Sequence, residues 1–364
     1  MTLSEIVNAA GRRTNKTTTN SDVRNKFIEH VNAIREIAWT KYDWSWKKRV
    51  WWLRTYDQVT SGTMTVTNGS STVTNSGTPF SSTHAGWYLR ILGSTPESWY
   101  RVINVPSSST LTLDPAYQGS TASGVSYELR KVDYLLPSEL EGMPTVVETE
   151  NRVLTLNPPL FTRPFGIPDT RGKPTHGIVW SDDPIGSTYT TGTISGTADT
   201  RTVTGSSTAW LANVTPGDQL EVVVGSATYK YTVRSVESDT SLTLYQFLRV
   251  DISSGTSYTI RNQFGRILRL TPTADDEYPI AVHGTRRFYP LQHDDDIDEL
   301  LAWHSEAIIT GVIALEQGAT PDDRENPQFV KFLSLLSTAA AADARNMHAN
   351  HPAPIQVSWG AYRA

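Results

Sequence analysis

The sequence predicts an α+β protein in which a helical host domain is interrupted by two copies of one small β-module. Val73–Phe80 (VTNSGTPF) reappears 130 residues later as Val203–Trp210 (VTGSSTAW), and Ser123–Arg130 reappears 131 residues later as Ser254–Arg261. Apolar residues at helical spacing occur instead near the two ends of the chain. We therefore expect a helical bundle of N- and C-terminal helix pairs, with a β arm and two inserted small antiparallel β-sandwich or barrel modules.

The N-terminal helix pair, within residues 1–58, is predicted from caps and spacing. Thr2 and Glu5 have capping-box spacing, and the apolar residues after them indicate a short helix that ends near Gly11. Asn20, or Ser21 beside it, caps a longer amphipathic helix. The next segment holds five of the eleven tryptophans: Trp39, Trp44, Trp46, Trp51 and Trp52.

The two modules and the sequence between them have the pattern of short strands. Fourteen of the 25 residues in 59–83 are Ser or Thr, interleaved with apolar residues at strand period. We place module 1 at residues 59–131 and module 2 at residues 191–262. The host β arm lies between them at 132–190, with a turn at Gly142 and frequent prolines.

The host resumes after module 2, over residues 263–349. Residues 266–282 are expected to form a β-hairpin. Two helices follow, the second opened by Thr320 and Pro321. Residues 350–364 are expected to form an extended tail.

Charge is divided unevenly along a chain whose net charge is only −5. Residues 1–55 carry 11 Lys or Arg against 5 Asp or Glu, whereas residues 273–348 carry 5 against 14. The two ends should attract each other, within one subunit or between neighbours. A net acidic chain is a poor candidate for general binding of duplex DNA.

The absence of cysteine excludes disulfides, thiolate metal sites and a cysteine nucleophile. The sequence shows neither the pattern of a signal peptide nor an apolar run of the length that a membrane helix needs. We therefore expect a protein that is made and kept, or assembled, in a cytoplasm, without a membrane partner.

The residues offer little support for catalysis or for a cofactor. Asp294, Asp295 and Asp296 could bind a hard cation, but acidic residues also stabilise the N-terminus of a helix, and no second ligand cluster accompanies them. No nucleophile elbow, P-loop or dinucleotide fingerprint occurs. We predict no enzyme, no metal and no cofactor, although a carboxylate pair of a glycan hydrolase needs no local motif.

The tryptophan-rich segment allows three interpretations: core, a stacking surface for sugars or bases, or a subunit interface, where aromatic residues and Arg are enriched. Core is the default for about half of such rings. Interface is the best functional alternative, because binding of single-stranded nucleic acid would require a more basic surround. The candidate interface residues are Trp44, Trp46, Lys47, Lys48, Arg49, Trp51 and Trp52.

The modules could bind carbohydrate, or they could be a solvated decoration or a contact to a neighbouring subunit. A shared sugar site would be expected to keep its aromatic platform in both copies. Trp99 in module 1 and Trp210 in module 2 do not occupy matching positions. This difference favours decoration or contact.

The order of the host motifs resembles a known family. The motifs are Arg35–Trp39 (REIAW), Trp44–Lys47 (WSWK), Tyr134–Leu140 (YLLPSEL), Arg266–Pro272 (RILRLTP) and Tyr278–His283 (YPIAVH), followed by two acidic-capped helices. In this order they resemble the head-to-tail adaptor (connector) proteins of tailed bacteriophages, including the tail tubular protein A group of short-tailed phages. The repeated modules resemble small β-domains found in phage structural proteins, and they are an addition to the minimal adaptor.

The resemblance implies a structural virion protein without catalysis. Such adaptors form a ring, commonly a dodecamer, which joins the portal protein of the capsid to a tail or nozzle protein and continues the channel for double-stranded DNA without sequence-specific binding. The location would be the head-tail junction of the virion, after assembly in the cytoplasm of the bacterial host. Residues 1–55 of one subunit could meet residues 273–348 of the next, because head-to-tail contacts close into rings.

The resemblance also suggests roles for the tail and the acidic residues. In such adaptors the C-terminal segment often inserts into the portal, and acidic side chains that face the channel keep DNA mobile. The candidate portal-docking residues are Ile355, Val357, Trp359, Tyr362 and Arg363. The candidate channel-facing acids are Asp294, Asp295, Asp296, Asp298 and Glu299. The alternative function is a tail-fibre or baseplate protein that binds host glycans through the modules.

Overall fold

The computed structural model of the chain describes residues 1–350 apart from 151, 161–165, 182–187, 263–265, 292, 293, 295 and 321–324. The chain divides into two compact units. The first unit comprises residues 1–48 and 286–364, and the second comprises residues 49–285. Long helices occur in the first unit and mainly antiparallel sheets in the second, so the predicted α+β class is confirmed at that level.

The helices begin where their capping residues lie. Thr2 and Glu5 form the predicted capping box, Asn20 caps the second helix, and the Asp298 side chain accepts a hydrogen bond from the backbone N of Leu301. The helices, in chain order, are α1 (Leu3–Arg13), α2 (Ser21–Lys41), α3 (Trp210–Asn213), α4 (Glu299–Glu316) and α5 (Pro327–Asn350).

Two predicted helix boundaries differ from the structure. Gly11 lies inside α1, where a Cβ atom would come within 2.4 Å of Thr18, so this glycine permits a close contact and does not end the helix. The helix predicted to open at Thr320 begins at Pro327. Asn326 accepts hydrogen bonds from the backbone N of Gln328 and Phe329, which is N-cap geometry.

The core of the first unit is built around α4, which contacts α1, α2 and α5. All residues from Ala307 to Ala314 are buried, as expected for a helix that is surrounded by others. Gly311 of α4 allows close approach of α2, since a Cβ there would lie 2.8 Å from Ile34. The N- and C-terminal segments therefore share one hydrophobic core.

Module 1 is a single antiparallel sheet around a hydrophobic core. The strands to the end of this module are β1 (Lys48–Arg54), which precedes it, β2 (Met64–Val66), β3 (Thr72–Asn75), β4 (Tyr88–Ile91), β5 (Trp99–Ser107), β6 (Thr110–Asp114), β7 (Ala122–Val125) and β8 (Tyr127–Arg130). The order across the sheet is β7-β2-β3-β6-β5-β4-β8. The segment predicted as one last strand is thus two, β7 and β8.

The remaining strands belong to the host arm, to module 2 and to the host again. The host arm holds β9 (Asp133–Leu135), β10 (Leu140–Thr149), β11 (Arg152–Val153), β12 (Thr155–Leu160) and β13 (His176–Ser181). Module 2 holds β14 (Thr188–Tyr189), β15 (Thr193–Gly196), β16 (Thr202–Ser206), β17 (Gln219–Val224), β18 (Ala227–Ser238), β19 (Ser241–Leu244), β20 (Ile252–Thr256) and β21 (Tyr258–Arg261). The host then adds β22 (Arg266–Thr271) and β23 (Pro279–Arg286).

The two modules share one topology. Module 2 has the order β20-β15-β16-β19-β18-β17-β21, which is the order of module 1 with each strand replaced by its repeat, and β14 extends it next to β21. The registers agree as well, because Val73 lies opposite Leu111 in module 1 and Val203 lies opposite Leu242 in module 2. The sequence repeat therefore corresponds to a structural repeat.

The host strands form two four-stranded sheets, β1-β23-β10-β11 and β12-β13-β22-β9. The predicted hairpin over 266–282 is wrong, because β22 and β23 lie in different sheets. Four consecutive residues of β22, from Ile267 to Leu270, are buried, and both of its edges pair with other strands. The predicted turn at Gly142 is also wrong, since β10 continues through this residue at a φ of +66°.

Candidate functional site

Half of the tryptophan-rich segment belongs to the interior of the first unit. Trp44 is buried, stacks on Trp46 with ring centroids 5.7 Å apart, and lies 5.2 Å from the ring of His304. The buried Lys47 donates hydrogen bonds from Nζ to the carbonyl oxygens of Trp39 (2.8 Å) and Tyr42 (2.9 Å). Trp44 and Lys47 therefore support the fold from inside and present no surface of their own to a partner.

Two further candidate residues, Arg49 and Trp51, bind a buried carboxylate of the second unit. Trp51 is buried, and its Nε1 donates to Glu139 at 3.0 Å. Arg49 donates from Nη1 to both oxygens of Glu139 at 3.0 Å. Arg49 supplies the counter-charge of this buried carboxylate, and Trp51 donates a further hydrogen bond to it.

Trp52 is the tryptophan of this segment that faces solvent, with 69% of its surface exposed. It lies on β1, where Lys48, Val50, Trp52 and Arg54 alternate with the inward-facing residues. Lys48 pairs with Asp43 at 2.9 Å, and both side chains are exposed to solvent. Of the seven candidate interface residues, Trp52 and Lys48 are thus the most available to another molecule.

The opposite charges of the two chain ends are paired inside the first unit. Arg13 pairs with Glu306 at 2.7 Å, and Lys26 pairs with Glu316 at 3.2 Å. The pairs that join residues before position 49 to residues after position 285 are Arg13–Glu306, Lys16–Glu316, Lys26–Glu316, Arg24–Asp294 and Arg35–Asp298. Of the two interpretations left open by the sequence, attraction within one subunit therefore has direct structural support.

The acidic residues before and at the start of α4 have local partners. Asp298 caps α4 and pairs with the buried Arg35, and Glu299 accepts from Arg286 at 2.7 Å. Asp294 is exposed and pairs with Arg24 at 2.5 Å, whereas Asp296 is buried. Asp295 lies outside the described residues. Within the part of the chain that the structure describes, no group of three His, Asp or Glu side chains could hold a metal ion.

The candidate portal-docking residues Ile355, Val357, Trp359, Tyr362 and Arg363 all lie outside the described residues. Their proposed role therefore depends on the sequence alone. The described chain ends with α5, which precedes them.

Module 2 attaches to the host arm through a buried polar network. Glu139, just before β10, is fully buried and also accepts a hydrogen bond from the hydroxyl of Tyr245 in module 2. Its backbone N donates to the carbonyl oxygen of Pro216 at 2.9 Å. A Cβ atom on Gly217 would lie 2.2 Å from that same N, so only glycine permits this approach.

A second buried carboxylate, Asp218, completes this junction. It accepts hydrogen bonds from the Ser138 hydroxyl at 2.5 Å and from the backbone N of Thr215 at 2.8 Å. Burial raises the pKa of Asp218 to about 7, although the hydrogen bonds from Ser138 and Thr215 act in the opposite direction. The junction of module 2 thus contains an acid that titrates near neutral pH.

Module 1 attaches through a charged pair. Asp133 of β9 accepts from Arg269 of β22 at 2.7 and 2.8 Å, in the two-bond geometry of a strong Arg–carboxylate pair. Tyr88 of module 1 donates from its hydroxyl to Asp133 at 2.6 Å. Host and module therefore meet at one carboxylate.

The aromatic residues singled out as sugar platforms are engaged inside their modules. Arg90 and Arg130 lie over the ring of Trp99, at 4.7 and 5.3 Å from its centroid. Trp210 is buried and donates from Nε1 to the Tyr258 hydroxyl at 3.0 Å. The Trp210 ring is buried and the Trp99 ring is contacted by two cations, which weakens the carbohydrate interpretation at these positions.

The sequence did not predict that Glu139 and Asp218 are buried at the junction between module 2 and the host arm. Each acid is flanked by apolar residues or by turn residues, which is the only local signal of burial. Their partners lie far along the chain, since Arg49 is 90 residues from Glu139 and Ser138 is 80 residues from Asp218.

Comparisons with known proteins identify no relative. The sequence matches no protein-family model, and a search of curated proteins finds no match. Among the described residues, no helix has the length and apolar character needed to cross a membrane.

Proposed function

We propose that this protein is a head-to-tail adaptor of a tailed bacteriophage. It would form a ring, commonly a dodecamer, that joins the portal protein to a tail or nozzle protein at the head-tail junction and continues the DNA channel. The observation that carries the proposal is the discontinuous host. Helices from both ends of the chain share one core, while the two modules are inserted between them, as the resemblance to adaptor proteins implies. We infer that these helices form the bundle of the adaptor host.

The polar architecture agrees with a structural role. The conspicuous buried charges, Asp133, Arg269 and Glu139, hold elements of the fold together. Asp218, with its raised pKa, lies at a junction between host and module. Shifted acids also occur in catalytic sites, but this one is fully buried beneath its own hydrogen-bond donors.

The test is negative-stain electron microscopy of the purified protein, alone and mixed with its candidate portal. Rings that stack on the portal are the expected result. Elongated trimers would favour the alternative of a tail-fibre or baseplate protein that binds glycans. Monomers that ignore the portal would contradict both ring formation and docking.

The tail gives a second test of the same proposal. Removal of residues 352–364 is expected to abolish portal binding and to leave the circular dichroism spectrum and melting temperature unchanged. Trp359→Ala should weaken binding, because aromatic anchors dominate interfaces, and Ser358→Ala is the matched control with little expected effect. Full portal binding by the truncated protein would contradict the role of residues 352–364 in docking.

A further inference from the structure

The side chain of Lys131 lies over aromatic rings and has no polar partner. Lys131 follows β8 directly and is half-buried, and its Nζ is 4.8 Å from the ring centroid of Tyr56 and 5.4 Å from that of Tyr134. Within the described ranges of the chain, this Nζ has neither a hydrogen-bond acceptor nor a carboxylate partner. Aromatic faces attract a cation weakly and do not replace the hydrogen bonds that an ammonium group makes with water. The charged form of Lys131 is therefore poorly stabilised at this position.

Two other lysines among the described residues also lie over an aromatic ring, and both have polar partners. Lys173 lies 5.6 Å from the centroid of a tyrosine ring and pairs with Glu150. Lys47 lies 5.6 Å from the ring centroid of Trp39, and its Nζ donates to two backbone carbonyl oxygens. An aromatic contact is thus compatible with a stable ammonium group where a counter-charge or acceptors accompany it. Lys131 differs because it lacks both.

The described groups that pack around Lys131 supply no counter-charge. Burial raises the pKa of Tyr56 and of Tyr134, so both phenols are protonated at neutral pH. Trp87 packs on the ring of Tyr56, and the rings of Trp87 and His84 lie 4.6 Å apart. Burial lowers the pKa of His84 to about 4, and the charge of Lys131 acts in the same direction, so this imidazole is neutral. Burial lowers the pKa of Lys131 itself to about 8.

The carboxylates that lie on either side of Lys131 in the sequence are paired with arginines. Asp133 pairs with Arg269, and Glu128 pairs with Arg90. A lysine that is desolvated among apolar groups without a counter-charge is a nucleophilic amine. At pH 8 about half of Lys131 is the free amine, compared with about 0.4% of a lysine whose pKa is ordinary.

We propose that Lys131 is a nucleophilic amine site that forms an imine with small aromatic aldehydes. The lone pair of Nζ attacks the carbonyl carbon, a C=N bond forms, and the carbonyl oxygen leaves as water with the two protons of the amine nitrogen. The rings of Tyr56, Tyr134 and Trp87 supply apolar surface for a planar ligand, which favours an aromatic aldehyde over an aliphatic one. The site lies within one chain, so it goes beyond the proposed function and does not depend on subunit assembly.

Reductive trapping tests the site. The full chain is incubated at pH 7.5 with benzaldehyde and sodium cyanoborohydride, which reduces the imine to a stable secondary amine, and the adducts are located by peptide mass spectrometry. We expect about tenfold or more labelling of Lys131 relative to Lys173, because the gain in free amine outweighs the lower nucleophilicity of a weaker base. In urea the two lysines should be labelled equally. Equal labelling in the folded protein would overturn the proposal, and so would a preference for Lys131 that persists in urea.

The ligand class is tested with a second aldehyde. Acetaldehyde should label Lys131 and Lys173 in a ratio closer to one than benzaldehyde does, since it has no planar apolar body to place against the aromatic rings. The same ratio for both aldehydes would contradict the preference for an aromatic ligand.

Substitution of an aromatic ring supplies an independent measurement. Tyr56→Leu keeps an apolar side chain but removes the ring, and it should lower benzaldehyde labelling of Lys131 about fivefold. Tyr278→Leu is the matched control, because Tyr278 faces Lys173, and it should leave the labelling of Lys131 unchanged. Circular dichroism verifies that both variants are folded. Equal effects of the two substitutions on Lys131 would contradict the role of Tyr56.

Discussion

Module 1 and module 2 contain the same turn, but the residue that follows its glycine is apolar in module 1 and acidic in module 2. Gly86 in module 1 donates from its backbone N to Val102 at 2.7 Å, and the repeat-related Gly217 in module 2 donates to Val233 at 2.8 Å. The residue after Gly86 is Trp87, whose ring packs on Tyr56, 5.6 Å between centroids. The residue after Gly217 is Asp218, which is fully buried.

The difference shows what a duplicated module can change without loss of its fold. The strand order and the register are retained, while the turn has an apolar side chain in one copy and a carboxylate in the other. Burial lowers the pKa of His84 in the module 1 turn to about 4, and it raises the pKa of Asp218 in the module 2 turn to about 7. Both pKa shifts favour the neutral form of the side chain. His84 is therefore largely uncharged above about pH 4, and Asp218 is largely uncharged below about pH 7.

The largest expected difference between the modules is the loss of stability when the glycine of this turn, Gly86 or Gly217, is replaced by alanine. Both have positive φ, +83° for Gly86 and +93° for Gly217, so alanine strains either turn. Only Gly217 also has backbone atoms of Glu139 in the way, whereas the space at Gly86 is open. We expect Gly217→Ala to reduce the free energy of unfolding by about 4 kcal/mol or more and Gly86→Ala by about 1 kcal/mol, measured by urea denaturation. Equal losses would show that module 2 does not depend on this close approach.

The second expected difference between the two turns is in the pH dependence of the free energy of unfolding. The pKa of Asp218 is about 7 in the folded protein, above its ordinary value of 3.8, so the folded state holds more protons between these values. Its contribution to stability is therefore complete below pH 4 and is lost as the pH rises through about 7, by up to about 4 kcal/mol. Denaturation curves from pH 4 to 8 should show a smaller decrease for Asp218→Asn than for the natural protein. Parallel pH profiles would contradict the shifted pKa.

The acids at the two junctions should respond differently to neutral replacement at pH 7. Asp133→Asn leaves the buried guanidinium of Arg269 without its counter-charge, which we expect to cost about 3 kcal/mol. Asp218→Asn removes a group whose partial ionisation already lowers the stability at pH 7, so no loss of stability is expected. Thermal unfolding at pH 7 measures both. A larger loss of stability for Asp218→Asn than for Asp133→Asn would contradict the conclusion that the module 1 junction holds the charged acid and the module 2 junction the neutral one.

The smallest difference concerns a tyrosine that both modules keep. The hydroxyls of Tyr127 and Tyr258 donate to the carbonyl oxygens of Ser61 (2.8 Å) and Thr191 (2.7 Å). Tyr258 also accepts from the buried Trp210 Nε1, while the residue at the position of Trp210 in module 1 is Phe80, which has no donor. We expect Tyr127→Phe to cost about 1 kcal/mol and Tyr258→Phe about 2 kcal/mol in urea denaturation. The same cost for both would mean that the Trp210 N–H finds another partner.

The sequence predicted the parts of the fold that depend on local patterns or on comparison of the two copies. Thr2 with Glu5, and Asn20, act within a few residues, so their caps could be read directly. The sequence repeat predicted that the two modules share one fold. The hairpin prediction was wrong because the partners of β22 are distant: Arg269 pairs with Ile178 and with Asp133. No local spacing encodes such pairings.

The candidate site was predictable to a lesser degree, for the same reason. Tryptophan density indicated an important segment, but exposure separates Trp52 from Trp51, its neighbour in sequence. Strand alternation explains this difference only once β1 is known to be an edge strand with one covered face. The burial of Glu139 depends on Arg49 and Tyr245, which are 90 and 106 residues away.

The discontinuous first unit has a consequence for the timing of folding during synthesis. The ribosome makes residues 1–48 well before their core partners, α4 and α5, which follow only after residue 285. At about 5 to 20 residues per second, the N-terminal helices wait on the order of 10 to 50 s for the rest of their core. The second unit is contiguous, so all of its residues have been made before that wait is over. Residues 1–48 are therefore synthesised long before the rest of their core, and they must stay exposed, or be held by a chaperone, until that core has been made.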